Sequence, residues 1–300
     1  MSWIYFALLA PFFWALSNYI DKYSLDKYVS NIYDFLFFST LTSWFFVPVL
    51  ILVFGFPTLT IYSFVPILLG IVLIYSYGFY GKALVEGETS RIVILFKLIP
   101  VLTLILGFLF LNQTLTGQEF LAFLLVLAGA VIVSFERSES KFKLFDGTKW
   151  ILIAIGIWSV MFLFADWAMT KMTFEDFFVL DTLGTALAGP IMFLIPSIRR
   201  QVVHGLRESE PQKFGWFFAN NFLDLFGQMS MKKSLSLAPS AGLVTVAIQI
   251  QSLYIVILGV ILTLLFPHAI KEDISGKNLL NKALGVTIMF AGIYLLFMTT

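Results

Sequence analysis

A chain of 300 residues that is 59% apolar and 12% charged, with a mean hydropathy of +0.93, holds about half the charge of an average soluble protein. That much apolar surface does not fit inside one aqueous core, and 19 basic against 18 acidic residues, a net charge of +1, gives no electrostatic basis for binding nucleic acid. The chain has no cysteine, which excludes disulfides, thiolate nucleophiles and Cys-ligated metals, and its two histidines, His204 and His268, lie in polar connections.

A membrane helix takes roughly 20 apolar residues, because about 30 Å of hydrocarbon is crossed at 1.5 Å per residue. Ten stretches meet that length: 2–20, 31–54, 61–81, 89–111 and 117–135, then 150–170, 175–195, 214–235, 240–266 and 280–298. The first is expected as a retained helix rather than a signal peptide. It lacks a basic leader, and Asp21-Lys22 follows it where small residues would mark cleavage. The runs are too long and too continuous for barrel strands. The longest polar connections, 136–149 with seven charges and 198–213, are too short to be domains, so any site must lie between helices. The expected fold class is an all-α integral membrane protein, multi-pass in the plasma (cell inner) membrane.

Sorting Lys and Arg by connection gives 15 in the odd-numbered loops and three in the even-numbered ones (Lys171, Lys232, Lys233), with Lys97 inside a helix. Basic loops prefer the cytoplasm, so this tally puts both termini outside.

The chain also repeats itself. Trp14 in the first helix aligns with Trp158 in the sixth at an offset of 144; 83–100 aligns with 234–251 at 151; Ala128-Gly129 aligns with Ala291-Gly292 at 163. Five helices per copy is an odd number, so the second copy enters from the opposite face. The sequence therefore predicts ten transmembrane helices as two inverted five-helix repeats, 1–135 and 150–300, joined by 136–149.

Trp14-Ala-Leu-Ser-Asn18, the stretch from Ala83 to Pro100, and Gly107-Phe-Leu-Phe-Leu with Leu115-Thr116 and Ala128-Gly129 resemble the EamA-type members of the drug/metabolite transporter superfamily. One departure is Gln113, where the family often has Glu before the Leu-Thr pair; it is expected at the rim of the bundle. The resemblance implies export or exchange of amino acids, related metabolites or amphipathic drugs. It also implies cytosolic termini, against the charge tally, so orientation stays open.

Ionisable groups within a span cost at least about 2.5 to 3.5 kcal/mol and face a cavity or a partner. Asn220, Asp224 and Gln228 fall at i, i+4 and i+8 on one face of the eighth helix. Lys97 lies three residues before Pro100, with Asp224 its expected counter-charge and Asp181 second; Pro100 is expected to kink that helix. Trp14, Ser17, Asn18 and Asp21 form a stripe on the first helix, Thr245, Gln249 and Ser252 one on the ninth, and Tyr75 lines the third. The expected substrate-binding set is Trp14, Asn18, Tyr75, Lys97, Asn220, Asp224, Gln228 and Gln249, with Asp224 and Lys97 as candidate proton-coupling groups. Asp166 is expected at a cavity mouth or a solvated helix end. The small-residue face of Asp181, Gly184, Thr185, Ala188 and Gly189 is expected to pack closely.

No Gly-rich phosphate loop is present, so ATP is not a local energy source. A secondary transporter using alternating access is the leading expectation, with no cofactor or metal. Its partners are the bilayer and a small-molecule substrate, not nucleic acid, in a monomer or a homodimer. An intramembrane prenyl transferase is the alternative, on the faint Asp-rich look of Asn220-Asn-Phe-Leu-Asp224, but no second Asp-rich motif is found to hold magnesium. A channel would need a ring of equivalent groups.

Overall fold

The structure, a computed structural model, describes residues 3–29, 31–86, 95–134, 147–265 and 276–299. The helices are α1 (Trp3–Tyr28), α2 (Ile32–Phe54), α3 (Phe64–Glu86), α4 (Leu98–Leu111), α5 (Gly117–Ser134) and α6 (Thr148–Met169) in the first part of the chain. They continue as α7 (Phe174–Met192), α8 (Pro196–Arg207), α9 (Pro211–Leu237), α10 (Ala241–Ala247), α11 (Gln251–Leu265) and α12 (Gly276–Thr299), with single 3₁₀ turns at Ile61–Ser63 and Ile248–Ile250. Each predicted apolar stretch contains at least one of these helices.

The helix ends follow from local chemistry. Asn31 caps α2 by accepting from the backbone N–H groups of Tyr33 and Asp34 at 3.0 Å, and Gly55 ends it at a φ of 90°, open to glycine. Thr116 and Glu119 cap α5 reciprocally: the Thr116 N–H donates to Glu119 Oε2 at 2.8 Å, and the Glu119 N–H donates to Thr116 Oγ1 at 3.2 Å. The Leu-Thr pair noted in the sequence is therefore a helix start.

Among the described residues, five segments are long and apolar enough to cross a membrane, α10 and α11 being taken together as one, or six if α7 and α8 are counted as one bent span; α4 and parts of α5 and α12 are shorter apolar helices. This is fewer than the ten spans predicted. For two of the stretches the cause is chemical: α7 carries Glu175, Asp176 and Asp181, and α9 carries Asn220, Asn221, Asp224, Gln228, Lys232 and Lys233, which lower their apolar character. Three further expectations are corrected. Most of the polar connection 198–213 is helical: α8 turns 100° away from α7. The ninth stretch is two helices, broken by a 3₁₀ turn between α10 and α11. In the fourth, a turn at Phe96-Lys97 separates helical Leu95 from α4, so Pro100 sits in the first turn of α4, where no N–H is needed from it. Motif positions Thr89, Ser90 and Val93, His268, and most of the connection 136–149 lie outside the described residues.

α1 packs along α9, α3 along α6 and α7, α2 along α7, α5 along α12, and α4 against α6 and α10. Two crossings are backbone on backbone. At α3–α7, a methyl group on Gly70 would overlap the Asp181 carbonyl, and one on Gly184 would overlap the Ile67 backbone. At α5–α12, Gly129 lies on Gly285 and Met289, and Gly292 lies on Ala122 and Val126. Small residues permit this approach, which replaces the missing hydrophobic drive in lipid with dispersion contact. The expected close-packing face of α7 is thus observed.

Gly184→Val is expected to lower stability by about 1 to 3 kcal/mol through overpacking at this crossing. Gly156→Ala, which meets nothing within 4 Å, is expected to be neutral or to stabilise α6 by up to about 1 kcal/mol. Thermal unfolding of both purified variants in detergent checks this; equal midpoints for the two would refute the tight crossing.

Candidate functional site

The polar stripe of α9 faces α1. Ser17 Oγ donates to Asn220 Oδ1 at 2.8 Å, joining the two helices at mid-length. Two turns further along α9, Gly227 leaves room for the Trp14 indole, which a methyl group there would strike. The Trp14 N–H is buried beside the Asp224 carboxyl, the acceptor available to it. A polar donor and a carboxyl group buried side by side suit this spot to a ligand's polar group. Gln228 also neighbours Asp224. Trp14, Asn220, Asp224 and Gln228 are therefore brought together as predicted. Asn18 is exposed, and Ser17 makes the contact to α9 in its place; the Asp21 side chain lies outside the described residues. Tyr75 is not part of this group: its hydroxyl donates to the Ala188 carbonyl on α7 at 3.2 Å.

Lys97 is 6% exposed, and its Nζ donates to Gln249 Oε1 at 3.0 Å and to Ser252 Oγ at 2.6 Å. The predicted pairing with Asp224 is thus replaced by an amide and a hydroxyl at the break between α10 and α11. Gln249 is held in turn by donating through Nε2 to the Thr245 carbonyl at 3.1 Å. Gln249 and Ser252 are three residues apart and so share one helical face, which turns both toward Lys97 at the start of α4.

Asp181, expected second as the partner of Lys97, instead pairs with Lys232 in an ion pair between α7 and α9, both side chains buried. Lys232 is therefore not the loop residue that the charge tally assumed. A second buried pair, Lys213 Nζ to Asp34 Oδ2 at 2.6 Å, joins the start of α9 to α2 with side chains 2% and 1% exposed. Neither Asp34 nor Lys213 was singled out from the sequence, yet a signal was present. Lys213, Phe217, Asn220, Asp224, Gln228 and Lys232 continue the same i+3/i+4 stripe to both ends of α9. The Lys232 ammonium, paired with Asp181, also acts on the Asp224 carboxyl through its charge.

Gln113 donates to Asp166, which lies near the Ala241 backbone N–H at the start of α10. Glutamate at position 113 would set two carboxylates against each other, so the glutamine fits this Asp166. Trp158 donates to Ser76 Oγ at 2.7 Å and packs on Tyr80 and Phe96. Among the described residues, no group of three or more His, Asp or Glu side chains could hold a metal ion.

Asp181→Asn or Lys232→Met alone leaves an opposite charge buried without its partner. Each is expected to cost about 3 to 5 kcal/mol, with most of the loss recovered in the double variant Asp181→Leu/Lys232→Met. Unfolding midpoints in detergent test this, and a double variant as unstable as the sum of the singles would remove the coupling.

Comparison with known proteins bears on residues and fold separately. No curated protein sequence matches the chain. One solved crystal structure, 16% identical, superposes with a TM-score of 0.56 over 98% of this chain and 96% of its own, which establishes a shared fold. Residues 1–135 match the EamA-like transporter family, over the same segment that carries the Trp14, Leu115-Thr116 and Ala128-Gly129 motifs. The amino-terminal 135 residues, a little under half of the chain, are thus similar to the EamA-like transporter family.

Proposed function

We propose that the chain is a secondary transporter that moves a small metabolite, amino acid-like or amphipathic, by export or exchange across the plasma membrane. Two inverted halves, 1–135 and 150–300, alternate access around a site between α1, α4, α9 and the α10–α11 break. The observation that carries the proposal is a pair of matching interruptions. α4 starts anew at Leu98, just after Lys97, and at the repeat offset of 151 this corresponds to the 3₁₀ turn Ile248–Ile250. Interrupted helices at corresponding positions of two halves point to a transporter's binding site, because irregular backbone at membrane depth is tolerated where it is buried in protein or lines a cavity.

Packing supports the same symmetry. Exchanging first-half and second-half helices turns the α1–α9 contact into α6–α3 and the α4–α6 contact into that of α1 with α11, all of which occur. The α5–α12 contact maps onto itself, with Gly129 and Gly292 both within it.

The two charges of the site have different surroundings. Asp224 lies beside the buried Trp14 indole N–H and within reach of the Lys232 charge, and Lys97 is held by neutral groups. A zwitterion would use both, its ammonium toward Asp224 and its carboxylate toward Lys97. Proton coupling through these groups adds no further residue, since an acid and a base that share a substrate titrate as one system.

Asp224→Asn and Lys97→Ala are each expected to reduce uptake of the substrate into proteoliposomes by about tenfold or more, with folded protein retained, as expected when a charge-assisted contact of roughly 1.5 to 3 kcal/mol is lost. Thermal-shift screening against amino acids, nucleosides, sugars and cationic dyes identifies the substrate beforehand. Wild-type transport by both variants would sink the site assignment.

A further inference from the structure

We propose that α8 is a binding site for the headgroups of anionic phospholipids at the rim of the bundle. The helix is sharply two-faced. Ile198, Val202 and Leu206 pack on the α2 cluster of Phe35 to Phe38, and Gly205 lies directly on the Asp34 carboxylate. The opposite face carries Arg199, Arg200, His204 and Arg207, all exposed, around an open depression of about 320 Å³. Glu208 is the acid that meets this face, 3.4 Å from His204. Three guanidiniums and an imidazole against one carboxylate leave a cationic surface.

Position decides the occupant. α7 ends at Met192 and the chain turns 100° into α8, with Leu194 at 78% and Ile195 at 45% exposure on the elbow. On the far side, α9 starts at Pro211 and presents exposed Phe214 and Trp216 within its first turns. Apolar and aromatic exposure on both flanks places the elbow and the start of α9 at the bilayer boundary. A helix held between two such points lies at headgroup depth, parallel to the surface, so its basic face meets phosphodiesters rather than hydrocarbon. Arginine suits this role, because its planar fork binds two phosphate oxygens at once and stays charged at all relevant pH. Nothing in this inference depends on which solute the protein moves.

The test uses the full-length protein in neutral detergent, titrated separately with phosphatidylglycerol, phosphatidylcholine and inorganic phosphate, reading bound lipid by native mass spectrometry and the unfolding midpoint in parallel. Phosphatidylglycerol is expected to bind and to raise the midpoint, with phosphatidylcholine and phosphate weaker or without effect. The triple variant Arg199→Gln/Arg200→Gln/Arg207→Gln is expected to lose affinity for phosphatidylglycerol roughly fivefold per arginine removed. Lys171→Gln, an exposed basic residue on another connection, is expected to bind like the wild type. The proposal is overturned if the triple variant keeps its affinity, if the two lipids bind alike, or if inorganic phosphate displaces the lipid and so marks a site for a soluble anion.

Discussion

A charge carried into hydrocarbon has to be answered by another group, and that constraint arranges this bundle around α9. The helix has 27 residues, about 40 Å at 1.5 Å per residue, and bears Lys213 near one end and Lys232 near the other. Each ammonium is met by a buried carboxylate, Asp34 of α2 and Asp181 of α7. The two pairs are about 28 Å apart along the helix, and together they fix both its depth and its rotation. With the rotation fixed, Asn220 and Asp224 can face only α1, where Ser17 and Trp14 meet them. Gly205 of α8 closes over Asp34 from outside, so even the interfacial helix is positioned by this electrostatic frame.

The rest of the bundle is held by a different interaction. Where no charge needs an answer, helices approach through glycine: Gly70 and Gly184 bring α3 onto α7, and Gly129 and Gly292 bring α5 onto α12. Aromatic rings fill the space that backbones cannot reach, as where Phe38 packs on Phe214 and Phe217 beside the Lys213–Asp34 pair. The Lys213 ammonium lies 4.1 Å from the Phe38 ring centroid, which adds a cation–π contact to the ion pair. Phenylalanine, the most abundant aromatic at 34 residues, is thus partly core as well as lipid-facing surface.

What could be read from the sequence divides along the same line. Helix positions were legible, because apolar length and turn signals are local properties. So was the face of α9 that meets α1, because a period of 3.6 residues is written into Asn220, Asp224 and Gln228. The partner of a buried charge was not. Lys97 had two acidic candidates and in the structure uses neither: it meets Gln249 and Ser252, whose stripe was legible, but which helix that stripe would face is a tertiary property that spacing does not give. Lys213 and Lys232 were read as loop charges because a basic residue at a helix end usually is one. Their burial depends on Asp34 and Asp181 arriving from helices remote in sequence, 179 and 51 residues away. α8 was hidden because its overall composition is polar, and only the spacing of Ile198, Val202 and Leu206 marks it as a helix.

The distribution of strong and weak contacts also bears on how two halves could move under the transport mechanism proposed above. Separating a buried ion pair leaves two unanswered charges and costs about 3 to 5 kcal/mol for either partner. A hydrogen bond from a charged group to a neutral one is worth roughly 1.5 to 3 kcal/mol and can be replaced by water or substrate. The ion pairs tie α9 to α2 and α7, whereas Lys97 on α4 is tied to the α10–α11 break through Gln249 and Ser252 alone among the described residues. Movement of α4 against the α10–α11 turn therefore breaks the weaker polar contacts, while the ion pairs hold α2 and α7 to α9. A substrate carboxylate that replaced Gln249 and Ser252 on Lys97 would act on the weakest polar link in the bundle, and so could couple its own binding to the change of access.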